Sequence, residues 1–405
     1  MRITRFIADF PRELTALPKS IRRISLIMFL YMLAWGTLDP FLTIYFHDIF
    51  GNYTDVAIIS ALVYVFSLLF SLPFGDLIDI VSKKKMMRFF LVMYLPFGFI
   101  LSLLSTFLQF TFFRFYHAII AAGLWSSAES YLRAHSPPRK AAQSMGFFDS
   151  VTSLSIIIGA VVGGAIVTLF GIKTLFYIFP FFVASALFIL PVLPDHDGGS
   201  SIWRGIKQLR SAGVFRFEIS DYLRIPGMVL VSFLSFITSA VSFGALIVIP
   251  LFSDWLGASY IETGLIYAAF GIPVLFEAPF SIFVQNFNRK KVLMTGGLLS
   301  LLFLTAAYMA DNLIQLFILS LFLSAALSLL KPVIEGLATE IMPRHKIGEF
   351  NGVYRSVMLA AAASGTLVVG PIADKFSIQA PFLLGAVLMI VFLGIVLLRP
   401  LPESI

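Results

Sequence analysis

Apolar runs long enough to cross a bilayer recur along the whole chain, and no other feature so narrows the folds open to it. A hydrocarbon core asks for about 20 consecutive apolar residues per helix. Twelve such runs can be marked, at roughly 23–47, 54–78, 86–106, 109–133, 143–169, 173–193, 226–252, 260–285, 292–310, 312–339, 349–373 and 379–398. Alternating strand patterns are absent, so the spans are expected to be helical. Composition agrees, with 59% hydrophobic and 13% charged residues in 405, where soluble domains carry about 25% charged residues. The expected fold class is an all-α, multi-pass membrane protein of twelve transmembrane helices.

The runs fall into two groups of six. The expected divisions are an interfacial N-terminal segment 1–22, a six-helix bundle 23–193, a linker 194–225, a second bundle 226–398 and a tail 399–405. The first segment is basic and weakly amphipathic, and a surface-lying helix or a loose tail both fit it. In the linker, Trp203, Ile206 and Leu209 oppose Arg204, Lys207 and Arg210, which suits a segment lying on the membrane. Of 29 Lys and Arg, only Lys173 and Lys375 fall in odd-numbered loops, and only Arg114 and Lys331 inside spans. The rest lie in tails, even-numbered loops or adjoining span ends, which places both termini in the cytoplasm.

The two groups repeat at one offset. Pro73-Phe74-Gly75 precedes Pro279-Phe280-Ser281 by 206 residues, and Lys83-Lys84-Lys85 precedes Arg289-Lys290-Lys291 by the same number. Glu129, Gly159 and Gly164 stand 206 residues before Glu335, Gly365 and Gly370. Such a repeat implies two pseudo-equivalent halves about an axis along the membrane normal, with a substrate site between them.

Several segments carry a family resemblance. Gly75, Leu77, Asp79, Lys83 and Lys84 fit the gating loop G-x-L-x-D-x-x-G-[RK]-[RK] of the major facilitator superfamily, with Ser82 in place of its second glycine. Arg114 in the fourth span, followed by His117 and Ala118, resembles the R-x-x-x-G pattern of the drug:proton antiporters in that superfamily, departing from its usual Gln and Gly. Gly159, Gly163 and Gly164 in the fifth span resemble the antiporter motif G-x-x-x-G-P-x-x-G-G, with Ser155 and Ala160 replacing its first glycine and its proline. The second loop has Gln285 where the first has Asp79. The acid often found at the end of the fourth helix is replaced by Ala134, with Glu340 at the matching place in the second half.

The resemblance implies a transporter whose first, fourth, seventh and tenth helices line a central cavity. An arginine in the hydrocarbon region costs at least about 2.5 kcal/mol unless paired or hydrated, so Arg114 needs a partner. Asp39, before Pro40 in the first span, lies at matching depth and is the expected one. Two readings fit: Asp39 binds a coupling proton under the influence of Arg114, or the two form a permanent ion pair. A second cluster holds Glu129, Glu277, Lys331 and Glu335. Lys331 and Glu335, four residues apart, share a helix face. Lys331 and Glu335 neutralise each other, or the acids Glu129 and Glu335 hold a proton or a cationic substrate, or those acids are wetted gate residues when the protein opens inward; Glu277 has no assigned part.

The expected function is therefore a secondary transporter of a small molecule in the cell membrane, proton-coupled and of the drug:proton antiport type, sufficient as a monomer in a lipid bilayer. A proton-linked symporter or uniporter of a metabolite, and a lipid transporter, are the alternatives. A non-transporting scaffold or sensor is the rival from another class, which the costly intramembrane charges oppose. No phosphate-binding G-x-x-x-x-G-K-[ST], H-E-x-x-H or Cys/His spacing occurs, and there is no cysteine. No enzyme, cofactor or metal is expected. The net charge of +7 sits in loops between spans, so no nucleic-acid partner is expected either.

Overall fold

The computed structural model describes residues 17–137, 141–194, 219–277, 287–342 and 347–401. Among them every element is helical. The first half forms α1 (Lys19–Phe50), α2 (Tyr53–Ile80), α3 (Lys83–Tyr94), α4 (Phe97–Leu103), α5 (Phe107–His135), α6 (Ala141–Phe170) and α7 (Lys173–Ile189). The second forms α8 (Ile219–Arg224), α9 (Met228–Trp255), α10 (Tyr260–Gly271), α11 (Arg289–Tyr308), α12 (Leu313–Ile341), α13 (Ile347–Lys375) and α14 (Ala380–Leu398). Among the described residues, eleven segments are long and apolar enough to cross a membrane, and Tyr260–Phe276 is a shorter apolar helix. The rest of that expected span, with Pro279 and Gln285, lies outside the described residues, as do residues 1–16 and most of the linker. The expected third span is two helices, because Pro96 has no N–H to continue α3.

Polar residues at several helix N-termini fix where the apolar run begins. Thr106 and Asn312, 206 residues apart, cap α5 and α12 by accepting the N–H of Gln109 and Gln315 at 3.4 and 2.9 Å. Gln109 and Gln315 then accept from the N–H of Ser105 and Asp311 at 3.0 and 3.1 Å. Gly51 ends α1 with φ 70°, a left-handed conformation that glycine adopts without strain.

The repeat reappears in contacts. Lys84 Nζ donates to the carbonyls of Pro191, at 3.0 Å, and Leu193. Lys290 Nζ donates to Leu397 O at 2.9 Å, and both Lys290 and Leu397 lie 206 residues beyond Lys84 and Pro191. Each lysine thus satisfies carbonyls at the end of the sixth or twelfth span. Arg289 adds a two-pronged pair to Glu340, at 2.7 and 2.6 Å. These contacts mark the basic face of the bundle. Gly75 and Asp79 fall within α2, but their side chains lie outside the described part.

The opposite face, where α2 and α10 begin, is sealed by close backbone contact between the halves. A Cβ on Gly164 of α6 would stand 2.5 Å from Tyr260 O, and one on Gly370 of α13 would stand 2.4 Å from Tyr53 O. The two glycines are 206 residues apart, so the seal repeats across the pseudo-symmetry. Asp374 of α13 strengthens one side of it. Its carboxylate accepts from the backbone N–H of Tyr53 and Thr54 at 2.9 and 2.8 Å, and from the Thr54 hydroxyl. An acid from one half thereby caps the positive end of a helix from the other.

Gly159 and Gly163 do different work. Their missing side chains admit the backbone of Gly36 and Thr37 in α1, within the same half. Gly365 admits Ala240 of α9 in the same way. Of the glycines in that motif, Gly164 meets the other half.

Candidate central cavity

A cavity of about 330 Å³ lies between the halves, lined by α1, α2, α5, α6, α9 and α13. That is within the usual range for a small-molecule site, about 300–1,000 Å³. Its wall is mainly aromatic and aliphatic, with Tyr31, Trp35, Tyr64, Trp125, Phe243 and Leu246 among the lining residues. Asp39, Arg114, His117, Ser60 and Arg355 supply the polar groups used below.

Asp39 is exposed along a buried helix, and what it faces is this cavity. Its neighbours Leu38 and Pro40 are buried. The Tyr267 hydroxyl, on α10 of the other half, donates to Asp39 Oδ2 at 2.7 Å. Tyr267 is itself buried. This hydrogen bond ties the titratable group of one half to the second half, and no residue pattern marks it in advance.

Arg114 is placed differently from the expected ion pair. No carboxylate lies within 4.0 Å of it among the described residues. Its Nη1 meets His117 Nδ1 at 3.2 Å, one helical turn along α5. Since a guanidinium only donates, that nitrogen accepts. The guanidinium stands 5.1 Å above the Phe46 ring, a cation–π contact. Its Nε has no partner although the residue is 4% exposed. Asp39 acts on it through the field across the cavity rather than by contact. His117 is held in turn by Trp35, stacked at 4.6 Å and 7°. The Trp35 indole nitrogen, beside the Tyr31 hydroxyl, makes no hydrogen bond of ordinary geometry.

The second cluster lies toward the basic face. Lys331 Nζ pairs with Glu277 Oε2 at 2.8 Å. Its close partner is therefore on the neighbouring span rather than Glu335 one turn along its own helix. Glu129 is paired across the halves, accepting from Arg355 Nη1 at 2.7 Å, with Arg133 at 3.6 Å on its own helix. Asp149 of α6 stands in the field of Lys331, Glu335, Glu129 and Glu277. Arg355 and Asp149 were missed in sequence, Arg355 because it reads as the charged end of a span. Both Glu129 and Arg355 are partly exposed. The basic face is thus bridged by a charge pair, whereas the opposite face is closed by backbone.

A charge pair of that exposure contributes about 0–1 kcal/mol. Glu129→Gln is expected to favour separation of the halves at the basic face by a few-fold, within that range. Since the chain has no cysteine, a single cysteine at cavity-lining Ser126 reports it. Its maleimide labelling from that face rises in Glu129→Gln and falls back when the pair is reversed as Glu129→Arg with Arg355→Glu. Unchanged labelling would make the pair ornamental.

The sequence model of the Major Facilitator Superfamily matches residues 24–272 and 228–404. An uncharacterised MFS-type transporter of Methanocaldococcus jannaschii is 29% identical over 165 residues, 40% of this chain. That match spans 42% of the relative's own length. Among solved structures, the nucleoside transporter NupG superposes with a TM-score of 0.73 at 13% identity, over 93% of this chain and 99% of that one. A bacterial homologue of the human lysosomal transporter Spinster, inward-facing and occupied, gives 0.73 at 12% identity, over 93% and 95%. The human organic anion transporter MFSD10 gives 0.66 at 16% identity, over 94% and 100%. At these identities the likeness is one of fold.

Proposed function

This chain is a transporter of the Major Facilitator Superfamily, and from that premise we propose that it carries a small, largely apolar molecule through the central cavity by alternating access, coupled to protons in the manner of the drug:proton antiporters. The observation that carries the reading is the hydrogen bond from Tyr267 to Asp39. A carboxylate that faces a cavity and is held by the opposite half couples two events. Taking up a proton changes what Asp39 accepts from Tyr267, and that bond is one of the ties between the halves. Arg114, buried without a carboxylate contact, supplies a positive charge near the same space. Substrate and proton are thereby linked through one electrostatic environment.

The two ends of the cavity have closures of different kind. At the face where α2 and α10 begin, opening must part glycine-packed backbones and release Asp374. At the basic face it must break Glu129–Arg355 and rearrange the charges around Lys331. Glu129, Glu277, Lys331 and Glu335 act on this reading as the switch at that end. The Lys and Arg distribution supports a cell-membrane protein with the basic face in the cytoplasm. Each chain has its own cavity, so a monomer suffices.

Proteoliposomes with a pH-sensitive dye inside test the proposal. Under an imposed proton gradient, a panel of aromatic drug-like compounds is added. Proton movement on addition of a compound, in step with the flux of that compound, supports coupled transport. Flux without proton movement would leave a uniporter and remove Asp39 from the coupling role.

A further inference from the structure

We infer that the cavity receives an organic anion: an apolar, ring-bearing carboxylate whose head group is bound by Arg114. This names the substrate class of the site proposed above, and rests on that reading only for the cavity being the transport site.

The argument begins with unspent hydrogen-bonding capacity. A guanidinium offers five N–H donors and accepts nothing. Arg114 directs one toward His117 Nδ1, and its Nε is buried without a partner. Its charge is answered by one aromatic face, Phe46, and by no carboxylate within 4.0 Å among the described residues. A cation at this depth is costly unless paired or hydrated. The nearest acid facing the same cavity, Asp39, already accepts from Tyr267 at 2.7 Å. Ser60, a residue of the cavity wall, adds a second unsatisfied group: its hydroxyl is buried and has no partner.

The charge of the wall agrees. Its Asp, Glu, Lys and Arg lining residues are Arg114, Arg355 and Asp39. Arg355 is answered by Glu129 and Asp39 is engaged by a hydroxyl, which leaves Arg114 as the group in want of a counter-ion. A carboxylate matches the planar fork of a guanidinium better than any neutral oxygen does. The remaining wall, with Trp35, Tyr64, Trp125 and Phe243, offers ring faces and edges to an aromatic body.

Three molecules of nearly one size separate the possibilities: naphthalene-2-carboxylate, 2-naphthylmethanol and 2-naphthylmethylammonium. Their affinities for the purified full chain in lipid nanodiscs are measured by calorimetry. The carboxylate is expected to bind about ten-fold or more tighter than either of the others. Arg114→Gln should bring the carboxylate to within about two-fold of the alcohol, whereas Arg114→Lys should keep part of the preference. Tightest binding of the ammonium would overturn the inference and make Asp39 the reader of a cation. Equal binding of all three, binding of none, or a carboxylate preference that survives Arg114→Gln would overturn it as well. Should Arg114→Gln fail to fold, the wild-type ranking and Arg114→Lys still decide. The same compounds in proteoliposomes keep the two readings apart. Arg114-dependent binding of the carboxylate without flux would sink transport and leave the anion site. Flux of the alcohol or ammonium with no preference for the carboxylate would do the reverse.

Discussion

Asp39→Asn is expected to abolish proton-driven transport and to leave the fold standing. Asparagine has nearly the shape of aspartate, and its carbonyl oxygen still accepts a hydrogen bond from the Tyr267 hydroxyl, now made to Asp39 at 2.7 Å. What it cannot do is take up and release a proton. Flux driven by a proton gradient should fall to that of protein-free liposomes, while exchange of labelled for unlabelled substrate at equal pH persists. Thermal unfolding should stay close to that of the parent, because no carboxylate, Asp39 included, lies within 4.0 Å of Arg114 among the described residues and no ion pair is broken. A permanent structural pair would behave otherwise: removing one partner of a buried ion pair costs about 3–5 kcal/mol. Wild-type coupling in Asp39→Asn would dismiss Asp39 as the proton site. Collapse of the fold would return it to structure. Tyr267→Phe makes the companion measurement. It leaves the carboxylate in place but removes its tie to the second half, so transport should weaken and coupling loosen without vanishing.

The repeat was legible because it is written in one strand of text. Two lysines at one offset meet helix-end carbonyls at the same offset, Lys84 with Pro191 and Lys290 with Leu397. Thr106 with Gln109 and Asn312 with Gln315 make the same caps. Local chemistry and period determine such contacts. The ties between the halves have no such signature. Tyr267 reads as one more aromatic residue in an apolar run, Arg355 as a span end and Asp374 as a loop neighbour. Each gains its meaning from a residue more than 200 positions away. Depth along the spans did place Asp39 and Arg114 on one cavity. It said nothing of direction, and the guanidinium turns to His117 and Phe46 instead of the carboxylate. Spacing misled at Lys331 for a similar reason. A residue four positions on shares its helix face, but Glu277 on the neighbouring span comes to 2.8 Å.

Gly370→Val should trap the transporter open at the face where α2 and α10 begin. The glycine Cα packs directly on another helix, and a Cβ there would stand 2.4 Å from Tyr53 O and 2.6 Å from Thr54 Cα. Both are main-chain atoms, so no side-chain rotation relieves the overlap. The two halves must part, and parting is what opening at this face requires. The substitution therefore penalises the closed state and spares the open one. Overpacking of this kind costs about 1–3 kcal/mol, which shifts the balance between states by about five- to 140-fold. A single cysteine at Thr43, which lines the cavity, measures the shift in this cysteine-free chain. Impermeant maleimide applied from that face should label it slowly in the parent and many times faster in Gly370→Val, while cycling transport stops. Gly394→Val is the control, since a Cβ there meets nothing within 4 Å, and it should change neither quantity. Asp374→Asn should act in the same direction as Gly370→Val but less strongly, because the amide oxygen still accepts from Tyr53 or Thr54. Combining the two should add little, since once the backbones are forced apart the Asp374 cap is already broken. Wild-type flux in Gly370→Val would mean that the halves separate somewhere other than at this glycine contact.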